Sequence, residues 1–265
     1  MKKLIPALCM LLVAAALLGT STFAWFSMNT QVDAKGMQVK ATTSSNLVIK
    51  AADGAWTREA SAKYSSLNTL TPASTSLTDG VLSAGKFFYL TNPAKVDYAT
   101  GAAQSGAEFA EATVNKDAQN TYVSANTFEI KVEGGTQAFT NLYISAVTVK
   151  DSSAQTAADA DISKALRVAV VTTNKTYIFA PVTGYTEHYK GIIGAGTGLS
   201  EGTTLSTTDE TLTNAGESAT LGAIAAGETI ALTVYIWYEG QDGNCTSGKA
   251  VNVEELDVAL TFIAK

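Results

Sequence analysis

The sequence predicts an all-β protein: an antiparallel β-sandwich in jelly-roll-like order, with loop insertions and at most one or two short helices. Three observations predict this class. Apolar residues recur at every second position in several segments, which is the period of a half-buried strand. Thr makes up roughly one residue in seven, and its branched Cβ favours strands. Helix signals are confined to residues 157–165, where Asp159 or Asp161 could be the N-cap.

The alternation and the turn residues place the elements along the chain. Asp53-Gly54 predicts a turn, Asn92-Pro93 ends a strand, and Thr173-Asn174-Lys175 predicts a hairpin. Three stretches rich in Ser, Thr, Gly and Ala are predicted to be long loops or edge excursions: residues 57–80, 98–108 and 194–219. Strands are predicted at residues 37–41, 47–51, 86–90, 128–132, 142–146, 166–171, 176–180, 230–238 and 256–262.

Composition and charge exclude several classes of function. The 265 residues include 24 acidic and 18 basic side chains, for a formal charge of −6. A nucleic-acid binder needs a basic surface, so that class is excluded, and the apolar content of 46% excludes wholesale disorder. No repeat, linker or shift in composition marks a boundary, so one sandwich domain is predicted over residues 36–265.

The N-terminal segment has the order of a secretory signal peptide. A basic start at residues 1–3 precedes an apolar run over 4–18 and the small residues 19–22. We predict a signal peptide over residues 1–24, with cleavage between Ala24 and Trp25. An uncleaved anchor is the alternative, because residues 4–26 are long enough to cross a bilayer. Cleavage removes two lysines, which changes the formal charge from −6 to −8.

The residue inventory offers little for catalysis, and no catalytic residue is predicted. His188 is the only His, so an HExxH zinc site is impossible, and no G-x-S-x-G motif accompanies it. Cleavage of the signal peptide removes Cys9 and leaves Cys245 as the sole thiol, which cannot form an intrachain disulfide. Cys245 is therefore either a loop cysteine or a candidate for an intermolecular disulfide. We expect the protein not to be an enzyme.

Two acidic stretches are candidates for calcium, which prefers carboxylate and carbonyl oxygens. The candidate ligands are Glu239, Asp242 and Asn244 in the sequence EGQDGN, and Asp159 with Asp161. Neither stretch has the spacing of an EF-hand, and a tight turn explains the first equally well. No other cofactor is predicted.

Two segments resemble a known family. Residues 20–29 (TSTFAWFSMN), continuing through 36–39 (GMQV), resemble the signal-peptide junction of TasA/camelysin-like exported proteins of Gram-positive bacteria. Residues 234–245 (VYIWYEGQDGNC), followed by the strand at 256–262, resemble the C-terminal hairpin of the same group. Residues 162–168 (ISKALRV) also fit the family pattern. Together these segments cover about a fifth of the chain.

The resemblance implies a jelly-roll sandwich that is secreted and forms fibres in the biofilm matrix or on the cell surface. It implies a dedicated signal peptidase as a partner during export, and a second copy of the chain as the lasting partner. Contact with the membrane is then transient and runs through the signal peptide. The mature N-terminal segment, residues 25–35, would donate a strand to the next subunit, with Trp25, Phe26 and Met28 as the joining side chains.

Alternatives stay open at this point. The apolar residues 25–28 can instead pack on their own domain, since apolar termini and sheet edges are usually managed rather than used. The protein can instead be a monomeric surface adhesin or binding module, with glycans as one class of ligand, using exposed aromatic residues such as Trp237 or Trp56. Some camelysin-like members have been classed as metalloproteases, but this sequence lacks the HExxH motif, so that activity is not carried over.

Overall fold

The structure, a computed structural model, describes a set of segments separated by gaps. They are residues 38–43, 47–63, 70–75, 82, 84–91, 96–97, 102–103, 109–114, 116, 122–133, 138–151, 165–180, 199–201, 210–212, 219–240 and 256–265. The predicted signal peptide (1–24), the mature N-terminal segment (25–35), the turn at residues 92–93 and His188 lie outside them. So does the predicted helix over 157–165, except for Ala165.

The described residues are mostly β-strand and form two large sheets, which confirms the predicted all-β class. The first sheet contains β1 (Gln38–Thr43), β3 (Glu59–Lys63), β9 (Phe139–Asp151), β13 (Glu210–Leu212), β14 (Thr220–Ile224) and β16 (Leu256–Ala264). The second contains β2 (Leu47–Ala51), β8 (Ser124–Val132), β10 (Leu166–Thr172), β11 (Thr176–Ala180), β12 (Leu199–Glu201) and β15 (Thr229–Tyr238). Two small ribbons pair β4 (Phe87–Leu90) with β7 (Phe109–Ala112), and β5 (Val96–Asp97) with β6 (Ala102–Ala103).

The strand order follows an eight-stranded jelly roll, to which β3, β8, β12 and β13 are added. The chain changes sheets between β1 and β2, then at each step from β8 to β10, and again at each step from β14 to β16. The neighbours in the first sheet are β14, β9, β16 and β1, and those in the second are β11, β10, β15 and β2, with β8 inserted between the last two. Most pairs are antiparallel, but β1 pairs parallel with β16, and β11 pairs parallel with β12. Because β8 adds one antiparallel step, it reverses the direction of β2 relative to β15.

Local sequence accounts for the turns. At the β10–β11 hairpin the Thr172 backbone N–H donates to the Lys175 carbonyl at 2.8 Å, and the Thr172 hydroxyl accepts from the Lys175 N–H at 2.9 Å. After β2, the Gly54 N–H donates to the Ala51 carbonyl at 2.9 Å. Both turns are at the positions that the Thr-Asn-Lys and Asp-Gly sequences predict.

The two sheets enclose one apolar core, which we call the inner core. It is built from alternate residues of each strand, such as Phe128 and Ile130 of β8 and Val234 and Ile236 of β15. This is the packing expected of two sheets whose inward faces carry the apolar half of a period-2 pattern. Burial of these side chains is the main source of stability, since the described residues contain no cysteine.

A second apolar core lies on the other face of the second sheet, and we call it the outer core. Phe87 of β4 and Ala112 of β7 cover Tyr235 and Trp237 of β15 there. The segment Leu70–Thr75 is hydrogen-bonded to the end of β15 beside this ribbon. Ala73 donates to the Tyr238 carbonyl and accepts from the Gly240 N–H, each at 3.0 Å. The second sheet is therefore covered on both faces, by the first sheet and by the β4–β7 ribbon.

One of the predicted loops contains a β-strand. Residues 57–80, predicted as a loop or edge excursion, include β3, which pairs antiparallel with β1 and is the outermost described strand of the first sheet. Ala60 and Ala62 of β3 face the inner core, while Glu59 and Ser61 are exposed. The alternation is present, but its apolar half consists of alanines, which is a weak sequence signal for a strand.

Candidate functional site

All but one of the predicted site residues lie outside the described part of the chain. They are the cleavage residues Ala24 and Trp25, the joining residues Phe26 and Met28, the candidate thiol Cys245, and the candidate calcium ligands Asp159, Asp161, Asp242 and Asn244. Glu239 is described. The donor-strand, disulfide and calcium assignments stay predictions.

Glu239 directly follows β15 and is fully buried. Its backbone N–H donates to the Ala165 carbonyl at 2.8 Å, and its Oε2 accepts the indole N–H of Trp237 at 3.1 Å. A buried carboxylate costs free energy unless it is hydrogen-bonded or paired, so the indole contact offsets part of that cost.

A buried cation, Arg167 of β10, lies near this carboxylate in the strand pairing of the second sheet. It is fully buried, pairs directly with Trp237 across the β10–β15 ladder, and donates from Nη1 to the Leu166 carbonyl at 2.7 Å. Directly paired residues share a face of the sheet, and Glu239 follows Trp237 by two positions, so Arg167 and Glu239 share that face as diagonal neighbours. Two opposite charges are therefore buried on the face of the second sheet that the ribbon covers.

Sequence reasoning did not single out Arg167, although one signal was available. It is a lone charge inside the run Leu-Arg-Val-Ala-Val-Val, where every neighbour is apolar. A charged residue in such a run is buried only when it has compensating groups. The sequence alone does not show that Glu239, which follows β15, lies on the same face of the sheet as Arg167.

The prediction that Trp237 is an exposed aromatic residue is wrong. It is fully buried, and its ring meets Phe87 edge-on with 5.1 Å between centroids. The reason is that β15 is covered on both faces, so the half of its alternating pattern that reads as solvent-facing packs under the β4–β7 ribbon. Trp237 is therefore not available for a surface ligand in this conformation.

Trp56 remains partly exposed, beside β2 and β8. The Lys131 ammonium lies 4.2 Å from its ring centroid and the Lys50 ammonium 5.0 Å away. Lys50 also pairs with Glu129 across the β2–β8 ladder at 3.0 Å. Cation–π attraction explains why an aromatic ring is favourable at this surface position.

The edges of the first sheet are the features that bear on assembly. No described strand lies beyond β3, and a sheet edge can accept a further strand through its backbone groups. At the neighbouring edge of the second sheet, β2 exchanges two hydrogen bonds with a following residue: Ile49 and Thr57 donate to each other's carbonyls at 2.7 and 3.0 Å. Among the described residues, β3 is therefore the one of these two edges with no further strand or bridge paired to its outer side.

The comparisons identify no relative. A scan against protein-family models and searches of the curated proteins and of the solved structures found no match to this chain. Within the described residues, no helix has the length and apolar character needed to cross a membrane. The same residues contain no group of three or more His, Cys, Asp or Glu side chains placed to hold a metal ion.

Proposed function

We propose that this protein is a non-catalytic structural subunit of an extracellular fibre, in the biofilm matrix or on the surface of a Gram-positive-type bacterium. It polymerises head-to-tail when the mature N-terminal segment of one subunit adds a strand to the next. The observation that carries the proposal is the combination of an apolar mature terminus, Trp25 to Met28, with β3, which is the outermost strand on its side of the first sheet among the described residues. The all-β sandwich and the resemblance of residues 20–29 and 234–245 to the TasA/camelysin-like group support it.

The edge strand β3 suits an incoming strand. Its inward side chains, Ala60 and Ala62, are small and pack on the inner core. Successive residues of a strand point to opposite faces, so Phe26 and Met28 of a donor share one face and Trp25 takes the other. A donor in register would place Phe26 and Met28 next to the two alanines.

The position of the donor segment favours exchange between copies. It directly precedes β1, which is already paired on both sides, with β16 and with β3. A donor leaving one subunit and joining the β3 edge of another makes a heterologous contact, with different surfaces on the two partners. Such a contact generates an open filament when the rotation does not close.

Deletion of residues 25–34 tests the proposal. The chain beginning at Trp25 should form filaments visible by negative-stain electron microscopy, and the shortened chain should stay monomeric in sedimentation. A matching far-ultraviolet circular dichroism spectrum would show that the shortened chain is folded. Filaments of undiminished length from the shortened chain would exclude joining by the N-terminal strand.

A second candidate is a monomeric surface adhesin or binding module. The partly exposed Trp56, with Lys50 and Lys131 at its ring, is the observation that favours it. Persistent monomers of the chain beginning at Trp25, together with glycan binding that is lost on Trp56→Ala, would support this function over the fibre.

A further inference from the structure

Tyr89 of β4 and Tyr122, which lies two residues before β8, form a stacked pair beside the outer core. Their ring centroids are 4.6 Å apart and their planes differ by 20°. Both rings are half-buried and pack against the outer core, so each keeps part of its surface in solvent. A hydrogen bond joins the two side chains, and burial, together with Tyr89, raises the pKa of Tyr122 above its ordinary value of 10.0.

This geometry matches the requirement for joining two phenols. When tyrosines are oxidised by one electron, the unpaired spin lies partly on the Cε carbons beside the hydroxyl-bearing carbon. Two nearly parallel rings whose hydroxyl ends are hydrogen-bonded hold these carbons near each other, and their partial burial keeps them there. We propose that Tyr89 and Tyr122 form a cross-linking site, at which an oxidant of the haem-peroxidase class, using hydrogen peroxide, joins them as dityrosine.

The chemistry balances without any other reactant. Each phenol loses one electron and its hydroxyl proton, which gives two tyrosyl radicals. The radicals couple through one Cε carbon of each ring to form a carbon–carbon bond. Each coupled carbon then gives up its hydrogen, and each oxygen regains a proton. The net loss is two hydrogen atoms, that is, two protons and two electrons, and these reduce one hydrogen peroxide to two waters.

The cross-link would secure a part of the fold that has no other covalent tie. The segment between β3 and β8 carries the β4–β7 ribbon that covers Trp237, and neither Cys9 nor Cys245 lies in it. A bond between Tyr89 and Tyr122 closes this segment into a loop at the entrance to β8. By the argument used for disulfides, closing such a loop restricts the unfolded chain and raises stability.

The test treats the dilute full chain with a haem peroxidase and hydrogen peroxide and then maps cross-links by peptide mass spectrometry. The expected product is monomeric, shows dityrosine fluorescence, and contains a linked peptide pair with Tyr89 and Tyr122 that is lighter by two hydrogen atoms. Tyr89→Phe and Tyr122→Phe should each lose this product. Tyr177→Phe is the matched control and should retain it, because the Tyr177 hydroxyl donates to the Thr220 carbonyl instead of to another tyrosine.

Three results would each contradict the proposed cross-linking site. They are the absence of dityrosine in the wild-type monomer, an undiminished yield in Tyr89→Phe, and links that join only separate copies. Near-ultraviolet circular dichroism of each variant shows that the outer core is intact, so a lost product reports lost chemistry. The oxidised wild-type chain should also melt at a higher temperature than its untreated form, and the oxidised Tyr89→Phe variant should not.

Discussion

Tyr177 in β11 donates its hydroxyl proton to the backbone carbonyl of Thr220 in β14, with 2.8 Å between the two oxygens. Because β11 belongs to the second sheet and β14 to the first, this bond joins the two sheets on the side of the sandwich opposite β3. The Thr220 hydroxyl in turn lies 3.2 Å from Oδ1 of Asn141 in β9. One edge of the sandwich is therefore fixed by side-chain hydrogen bonds between strands that are far apart in sequence.

Tyr177→Phe should lower the free energy of unfolding by about 1 kcal/mol, because it removes the donor and leaves the Thr220 carbonyl half-buried without it. Urea unfolding of the variant and wild type at neutral pH measures the difference. Thr172→Ser is a suitable control, since it keeps the hydroxyl that accepts from Lys175 at 2.9 Å and should change stability little. Equal midpoints for Tyr177→Phe and wild type would show that the bond between the sheets adds nothing.

Ionisation of Tyr177 also makes the free energy of unfolding depend on pH in the alkaline range. Burial raises the pKa of Tyr177 from 10.0, and the hydrogen bond to Thr220 partly opposes this. At a pH between the pKa of Tyr177 in the unfolded chain and its higher pKa in the folded chain, the unfolded chain has lost the phenol proton and the folded chain keeps it. The free energy of unfolding is therefore undiminished below pH 10.0 and falls as the pH rises above it. Tyr177→Phe should flatten this fall, leaving the part due to Tyr122, whose pKa is also raised. Urea midpoints measured across this pH range test the slope, and identical slopes would contradict the assignment.

Gly85 is predicted to tolerate no side chain. Its φ of 72° lies in the left-handed region, and a Cβ there would come within 2.7 Å of the Tyr235 hydroxyl under the ribbon. Gly85→Ala should therefore lower stability by roughly 2–4 kcal/mol, from backbone strain together with the displaced tyrosine. Thermal or urea unfolding measures the loss, and near-ultraviolet circular dichroism should show a changed environment of Tyr235.

Gly227 provides the matched control for Gly85. Its φ is 75°, but a Cβ there would meet no atom within 4 Å. Gly227→Ala should cost only the backbone term, about 1 kcal/mol. If the two variants lose the same amount, the contact with Tyr235 contributes nothing and the docking of the turn before β4 is looser than this structure indicates.

The strands of the inner core could be predicted from sequence because their pattern is local. In β15 the alternation of Ile230, Leu232, Val234 and Ile236 marks one buried face without knowledge of the fold. The same pattern misleads about the other face. Tyr235 and Trp237 read as the amphipathic, outward half of the strand, yet they lie under a ribbon contributed by residues more than a hundred positions away. Long-range cover of this kind leaves no periodic signal in the strand it covers.

The candidate site was predicted less well, and for a related reason. β3 carries Ala60 and Ala62 where a typical strand carries larger apolar residues, so the stretch reads as a loop. Its position at the edge is set by pairing with β1, which is a tertiary property. Glu239 is a candidate calcium ligand in the sequence because of its carboxylate, and the sequence gives no sign that it is fully buried. Glu239 is buried where Ala73, a residue far away in the sequence, forms a β-bridge with it.

The diagonal pair Arg167 and Glu239 should be energetically coupled. Glu239→Gln keeps an acceptor for the Trp237 indole but removes a negative charge from the buried face that Arg167 shares, so the variant should lose roughly 3–5 kcal/mol. Arg167→Met should cost a similar amount for the opposite reason. The double variant should lose clearly less than the two single losses added together, with a coupling of about 1–3 kcal/mol in urea unfolding.

The pair Lys50 and Glu129 gives the surface comparison for this cycle. Its ammonium and carboxylate are 3.0 Å apart, and both side chains are partly exposed. Solvent screens such a pair, so its coupling should be at most about 1 kcal/mol. Additive losses at Arg167 and Glu239, no larger than those of the surface pair, would mean that other groups compensate the two buried charges.

Lysine at position 62 should block assembly if β3 is the edge that accepts the donor strand. Ala62 faces the inner core beside the space that Phe26 and Met28 of a neighbour would fill, and an inward-pointing charge at a strand edge opposes addition of another strand. Ser61 lies next to it, is exposed and faces the other way, so Ser61→Lys adds the same charge to the same strand as a control. In the chain beginning at Trp25, Ala62→Lys should abolish filaments in electron micrographs while Ser61→Lys retains them. Because Ala62 is only half-buried, the Ala62→Lys monomer should stay folded, with a circular dichroism spectrum like that of wild type. Normal filaments from a folded Ala62→Lys variant would show that the donor joins a different edge.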